Sequence, residues 1–124
     1  MIASVGLDIV EIARIEKDVK RFGLRFVERI LGEKELAMFE KRQDKTLFLA
    51  GRFAAKEAIV KALGRYLTDR PPLQHLQIIN DDSGQPRLEM PSDVEANLEG
   101  ARCHLSITHE RNYAAAVAVF EDPS

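Results

Sequence analysis

Apolar residues change their spacing several times along the chain, and each change marks an element. Ile2 to Val10 is rich in apolar and β-branched residues and predicts a first strand, although so short a run leaves a helix entry open by periodicity alone. From Ile12 to Leu31 the apolar positions Ile12, Ile15, Val19, Phe22, Phe26 and Ile30 recur every three or four residues. That is the period of a helix with one buried face, and Gly23 is placed to break or bend it. A further helix is expected over Glu33 to Arg42. Another, entered through Asp44 and Thr46, runs over Leu47 to Leu63 and is capped by Gly64.

Pro71 and Pro72 make the stretch from Arg65 to Gln74 an extended loop. Beyond it, His75 to Asn80 reads as a strand, Asp81 to Gly84 as a turn and Pro86 to Met90 as a returning strand, which together form a hairpin. Ser92 with Glu95 three residues on predicts a capping box for a short helix closing at Gly100. Two more strand-like runs, Arg102 to Thr108 and Asn112 to Glu121, are joined by a polar turn around His109 to Arg111. Residues 122–124 read as a tail, leaving 1–121 as the folded unit.

Composition narrows this picture. A chain of 124 residues fits one domain with a modest core. Eighteen Lys and Arg stand against 20 Asp and Glu, a net charge of −2, so the whole chain offers no electrostatic case for nucleic acid or an anionic membrane. Charge is uneven, however. The first long helix carries Arg14, Lys17, Lys20, Arg21, Arg25 and Arg29 against only Glu16, Asp18 and Glu28. Such a face suits an acidic partner protein, or is an ordinary solvated helix face. Cys103 is the single cysteine, which excludes an internal disulfide and agrees with a reducing compartment. No stretch has the length of an apolar membrane span and no basic leader precedes one, so a cytoplasmic protein is expected.

Two places carry candidate chemistry. Asp8 lies inside an apolar run, where a charge needs a partner or a cation. Phe53, Glu57 and Lys61 fall on one helical ridge at i, i+4, i+8, so a carboxylate sits one turn before an ammonium group. A metal ligand and a phosphate ligand can share such a ridge. The same residues also allow plainer readings: Glu57 and Lys61 as a surface ion pair, and Asp8 as a cap for the helix that follows. Ser106 lies within a strand and lacks a nucleophile elbow. Cys103 and His104 are neighbours on a strand and point to opposite faces, which disfavours a nucleophilic pair.

Three segments, GLDIVEIAR at Gly6 to Arg14, FLAGRFAAKEAIVKALG at Phe48 to Gly64 and HLSITHERNYAAAVAVFE at His104 to Glu121, resemble the signature segments of bacterial holo-acyl-carrier-protein synthase, the short form of the phosphopantetheinyl transferases. Their order and spacing span almost the whole chain. The resemblance implies an α+β fold, mainly antiparallel sheet packed with helices, assembled as a homotrimer with active sites between subunits. It implies transfer of phosphopantetheine from coenzyme A to a serine of an apo acyl carrier protein, releasing adenosine 3′,5′-bisphosphate. By the same resemblance Asp8 and Glu57 are Mg²⁺ ligands, Lys61 is the basic residue beside the phosphates, and Arg52 and His109 lie near the adenosine or 3′-phosphate end of the coenzyme. Arg14, Arg21 and Arg25 resemble the set that binds the carrier protein. Where the family commonly has lysine, the SGQP turn of this chain has Gln85, which removes one phosphate-facing charge.

The residue chemistry agrees. Attack on a diphosphate needs its charge neutralised, which Mg²⁺ on one or two carboxylates and substrate oxygens achieves, and a lysine one turn away adds a point cation. The general base for the carrier serine is left open by the sequence, with Glu57, directly or through a metal-organised water, the leading candidate. Two competing readings are a non-catalytic carrier-binding module, which would not need Asp8, Glu57 and Lys61, and a metal-dependent nucleotide pyrophosphate hydrolase, which would use water in place of serine.

Overall fold

The computed structural model describes residues 1–123. Strand β1 (Ile2–Glu11) leads into helices α1 (Ile12–Phe22), α2 (Leu24–Ile30), α3 (Glu33–Glu40) and α4 (Lys45–Leu63). A short hairpin of β2 (Gln77–Asn80) and β3 (Pro86–Glu89), helix α5 (Ser92–Ala96), and strands β4 (Arg102–His109) and β5 (Tyr113–Glu121) complete the chain. The last strand is the middle one: the main sheet has the order β1-β5-β4, antiparallel throughout, and β2-β3 forms a separate antiparallel pair. The expected α+β architecture is the observed one.

Helix α4 lies across one face of the main sheet. On β5 the alternate residues Ala114, Ala116, Ala118 and Phe120 are buried, and three of these four inward side chains are single methyl groups, which lets the helix approach closely. The helix answers with Leu49, Ala50, Ala54, Ala55, Ala58, Ile59, Ala62 and Leu63, all buried. A helix apolar on most sides belongs in a core, and here it forms the core's axis. Ile15 of α1, Val27 and Ile30 of α2, and Leu76 and Ile78 around the start of β2 close over it.

Gly23 separates α1 from α2 as expected. It has φ 63° and ψ −145°, a backbone conformation costly for any residue with a Cβ, and its N–H donates to Val19 O at 2.7 Å. Two local expectations are corrected. His75 does not begin a strand; Leu73–His75 forms a 3-10 turn, with the His75 N–H donating to Pro72 O at 3.0 Å, and pairing begins at Gln77. Ser92 does not cap α5. The carbonyl of Pro91 accepts from both Val94 and Glu95 N–H groups at 3.0 Å, so Pro91 holds the N-cap position and Ser92 is already helical. The helix then ends at Ala96, short of the expected Gly100. Of the expected tail, the Asp122 N–H donates to Met1 O at 2.9 Å, and Ser124 lies outside the described residues.

Candidate active site

The site is assembled where β1 crosses α4. Ser4, Gly6, Asp8 and Val10 occupy alternate positions of β1 and pair with the inward-facing residues of β5, so all four point toward the helix. The strand and helix run past one another in opposite senses. Ser4 Oγ donates to Ala62 O at 2.7 Å, while Gly6 lies over Ala58, where a Cβ would stand only 1.9 Å from the Ala58 carbonyl oxygen. Glycine is therefore required at position 6 by backbone approach. That contact sets the height of Asp8 above the helix.

Asp8 meets Lys61. Lys61 Nζ stands 3.1 Å from Asp8 Oδ1 and also donates to Leu7 O at 2.9 Å. The Asp8 side chain is 18% exposed against 55% for Lys61, so the carboxylate is sunk in the crevice and the amine reaches over it from the rim. The plainer readings of both residues are corrected. Asp8 does not cap α1, whose N-cap is Glu11. Lys61 is shared with Asp8 and Leu7, and Glu57 finds another partner: Arg70 Nη2 donates to Glu57 Oε1 at 2.6 Å. Arg70 comes from the proline-bounded loop, and nothing in its local sequence marks it as a site residue.

Both carboxylates thus hold a cation already, an ammonium on Asp8 and a guanidinium on Glu57. Their donors are hard oxygens, half-buried and negatively charged, and each is bonded to its cation through one oxygen, which leaves the other open. Among the described residues no cluster of three or more His, Cys, Asp or Glu is positioned to hold a metal ion. This donor set fits Mg²⁺, which takes one or two carboxylates and completes its octahedron with phosphate oxygens and water. It does not fit a closed structural zinc site.

A second cluster sits further toward the start of α4. Lys56 and Glu35 are both fully buried and paired at 2.5 Å. Lys56 Nζ also donates to Leu73 O at 3.1 Å and to Ile30 O, which uses all three of its protons. Glu35 accepts the N–H groups of Gly32 and Ile78, each at 3.0 Å. Burial pushes the Lys56 ammonium below its ordinary pKa, and Glu35 opposes that push. Arg52, one turn before Lys56, has Nε 3.8 Å from Glu35 Oε2 and its guanidinium 4.6 Å from the Phe48 ring centroid. Its Nε and Nη2 are buried with no hydrogen-bond partner among the described residues. Burial lowers its pKa too, with Glu35 opposing. A permanently charged fork with unused donors is suited to receive an anion.

Around Arg52, Arg42 lies 5.1 Å from the same Phe48 ring. A hydrogen bond from Arg42 chiefly holds the Asp44 carboxyl below the usual carboxylate range, and the charge of His109 adds to it. His109 stands at the exposed end of β4. Sequence reading missed Glu35, Lys56, Arg42 and Phe48 as parts of this region. Phe48 and Lys56 lie inside the quoted segment Phe48 to Gly64, whereas nothing in the local sequence marks Glu35 or Arg42.

The basic helices divide. Arg21, Phe22, Arg25 and Phe26 line one surface groove of about 710 Å³ with Asp18, Glu28 and Arg29. Arg21 lies 5.1 Å from the centroid of the Phe22 ring, which is 51% exposed. Arg14 is exposed on the first turn of α1, outside that groove. Gln85 sits in the hairpin turn, its N–H bonded to Asp81 Oδ1 at 3.0 Å. Cys103 is half-buried with its thiol pushed up to about 12 by burial, so it is neutral and unreactive near neutral pH. His104 pairs with Glu121 at 2.9 Å on the other face of β4.

Residues 4–118 match the family model of the 4′-phosphopantetheinyl transferase superfamily. The chain is 41% identical over 123 residues to a holo-acyl-carrier-protein synthase of Vibrio vulnificus, covering 97% of this chain and 98% of that one. Among solved structures it is similar to the holo-acyl-carrier-protein synthase of Neisseria meningitidis, at a TM-score of 0.90 and 34% identity over 98% of this chain and 100% of the other. It is also similar to that of Bacillus anthracis in complex with coenzyme A (3′,5′-ADP), at a TM-score of 0.81 and 38% identity over 99% of each chain.

Proposed function

The chain belongs to the 4′-phosphopantetheinyl transferase superfamily, and from that membership we propose that it transfers phosphopantetheine from coenzyme A to a serine of an apo acyl carrier protein. The products are holo carrier protein and adenosine 3′,5′-bisphosphate. The observation that carries this reading is the meeting of Asp8 with Lys61, one turn beyond Glu57, on a helix that also holds the unpartnered donors of Arg52.

Asp8 and Glu57 would hold Mg²⁺. Bound there, it would neutralise the diphosphate and stabilise the departing phosphate. Lys61, bonded to Asp8 at the rim, supplies a further positive charge toward the coenzyme phosphates. Arg52, toward the start of α4, and His109, at the end of β4, take the adenosine or 3′-phosphate end. The carrier protein brings the nucleophile: its serine oxygen forms the new bond to the pantetheine-side phosphorus and gives its proton to Glu57, directly or through a water, while the bond from that phosphorus to the bridging oxygen breaks and adenosine 3′,5′-bisphosphate leaves. Arg21 and Arg25, set beside Phe22 and Phe26, offer charge and apolar surface to an acidic carrier helix, with Arg14 extending the positive field.

Assembly as a homotrimer, with active sites between subunits, follows the short-form family. The sheet face turned away from α4 supports it. Val5, Leu7 and Ile9 of β1 are 57, 64 and 64% exposed there, beside Ala115, Val117 and Val119 of β5. Bare apolar surface of this kind is covered in assemblies. A cytoplasmic location fits a substrate pool of coenzyme A, and no helix among the described residues is long and apolar enough to cross a membrane.

Release of adenosine 3′,5′-bisphosphate from coenzyme A, followed with and without apo carrier protein, tests the reading. Release that requires the carrier supports transfer. Release that proceeds equally without it identifies a hydrolase.

A further inference from the structure

Glu57 is the one candidate cation ligand whose partner comes from a loop. Its side chain is 19% exposed, and a carboxylate so far withdrawn from water needs a counter-charge. Arg70 supplies it through a 2.6 Å contact, while its own side chain remains 57% exposed. The pair differs from Asp8 and Lys61 in how it is held. Lys61 is built into α4 and has a second acceptor in Leu7 O, whereas Glu57 is the acceptor the structure gives Arg70.

The loop keeps Arg70 close. On one side Tyr66 packs its ring 5.8 Å from Phe120, and on the other the carbonyl of Leu73 receives Lys56 Nζ. Pro71 and Pro72 stiffen the segment between Arg70 and Leu73. Arg70 is therefore tethered near Glu57 at a high effective concentration. A guanidinium stays charged throughout the working pH range, so loss of its own proton cannot release it. A competing cation can, because Arg70 holds the carboxylate through a single contact from a side chain that is itself largely in solvent.

We propose that Arg70 is a built-in competitor for the metal site: it occupies the Glu57 carboxylate when no divalent cation is bound, and cation loading displaces it. This rests on the reading of Glu57 as a Mg²⁺ ligand. Arg70 is then a positioning residue that keeps Glu57 aimed in the metal-free enzyme, and it sets the cation concentration at which the site fills. The device is not catalytic in itself; it acts through Glu57.

Direct Mn²⁺ binding followed by electron paramagnetic resonance, without coenzyme A or carrier protein, tests it. Arg70→Ala and Arg70→Gln are each expected to bind Mn²⁺ about two- to fivefold more tightly than the unmodified protein, with the gain shrinking as salt is added. Glu57→Gln should bind it far more weakly. A merely structural role for Arg70 would leave affinity unchanged or weaken it. If Glu57→Gln weakens binding but neither Arg70 variant tightens it, the competitor role is wrong and Glu57 remains a ligand. If Glu57→Gln leaves Mn²⁺ affinity unchanged, Glu57 is not a ligand and the competitor role falls with it.

Discussion

Asp8 and Lys61, 53 residues apart in the chain, meet with Nζ 3.1 Å from Oδ1. The meeting depends on Gly6, because only a residue without a Cβ lets β1 lie against the Ala58 carbonyl. Strand, helix and site are linked through that one backbone approach.

Gly6→Ala should therefore damage both stability and turnover. The added methyl would lie 1.9 Å from a backbone oxygen that belongs to a buried helix and cannot rotate away, so β1 must shift. Overpacking of this kind costs about 1–3 kcal/mol. Urea unfolding should show that loss, and the folded fraction should turn over more slowly because Asp8 has moved from Lys61.

Lys61 and His109 should separate kinetically. Lys61→Ala removes a cation near the reacting phosphates and is expected to lower kcat, roughly 10²-fold on the scale of one lost electrostatic donor. His109→Ala acts at the distal end of the coenzyme and should raise its KM with little change in kcat. Steady-state kinetics at saturating carrier protein reads both. An unchanged KM and kcat for His109→Ala would remove it from the coenzyme site.

Charge reversal in the groove should affect the carrier protein alone. Arg21→Glu or Arg25→Glu is expected to raise the KM for apo carrier roughly five- to tenfold, with coenzyme A affinity retained. The wild-type KM for carrier should also rise with salt, because surface charges are screened over about 8 Å at physiological ionic strength. Equal damage to coenzyme A binding would mean the groove is not a carrier dock.

Lys56→Met should be strongly destabilising, by about 3–5 kcal/mol, since it leaves the Glu35 carboxylate buried without its ammonium partner. Replacing both partners, Glu35→Leu with Lys56→Met, should recover part of that loss. Recovery will be incomplete, because Glu35 also accepts two backbone N–H groups and balances Arg52. Chemical denaturation of the three variants checks the pattern.

These relationships were not equally legible in the sequence. The course of β1 shows in its β-branched content, the run of α4 in periodicity and the break between α1 and α2 in one glycine, because each is a local property. The ridge of Phe53, Glu57 and Lys61 is visible for the same reason. What periodicity cannot give is the partner of a charge. Spacing alone pairs Glu57 with Lys61, but the fold gives Lys61 to Asp8 and Glu57 to Arg70, since both alternatives lie within reach once β1 and the proline loop have packed. Glu35 and Lys56 were missed because a glutamate and a lysine on separate helices look like solvated surface until tertiary packing seals them together. His75 and Ser92 misled for a smaller reason: the carbonyls of Pro72 and Pro91 claimed the local N–H groups first.

Intact-mass measurement of an apo acyl carrier protein, after incubation with coenzyme A and Mg²⁺, tests the central claim most directly. With the unmodified protein the carrier should gain the mass of one phosphopantetheine, and with folded Asp8→Ala or Glu57→Ala most of that gain should disappear. A carrier left unmodified by the unmodified protein, or modified at full rate by either variant, would contradict the account.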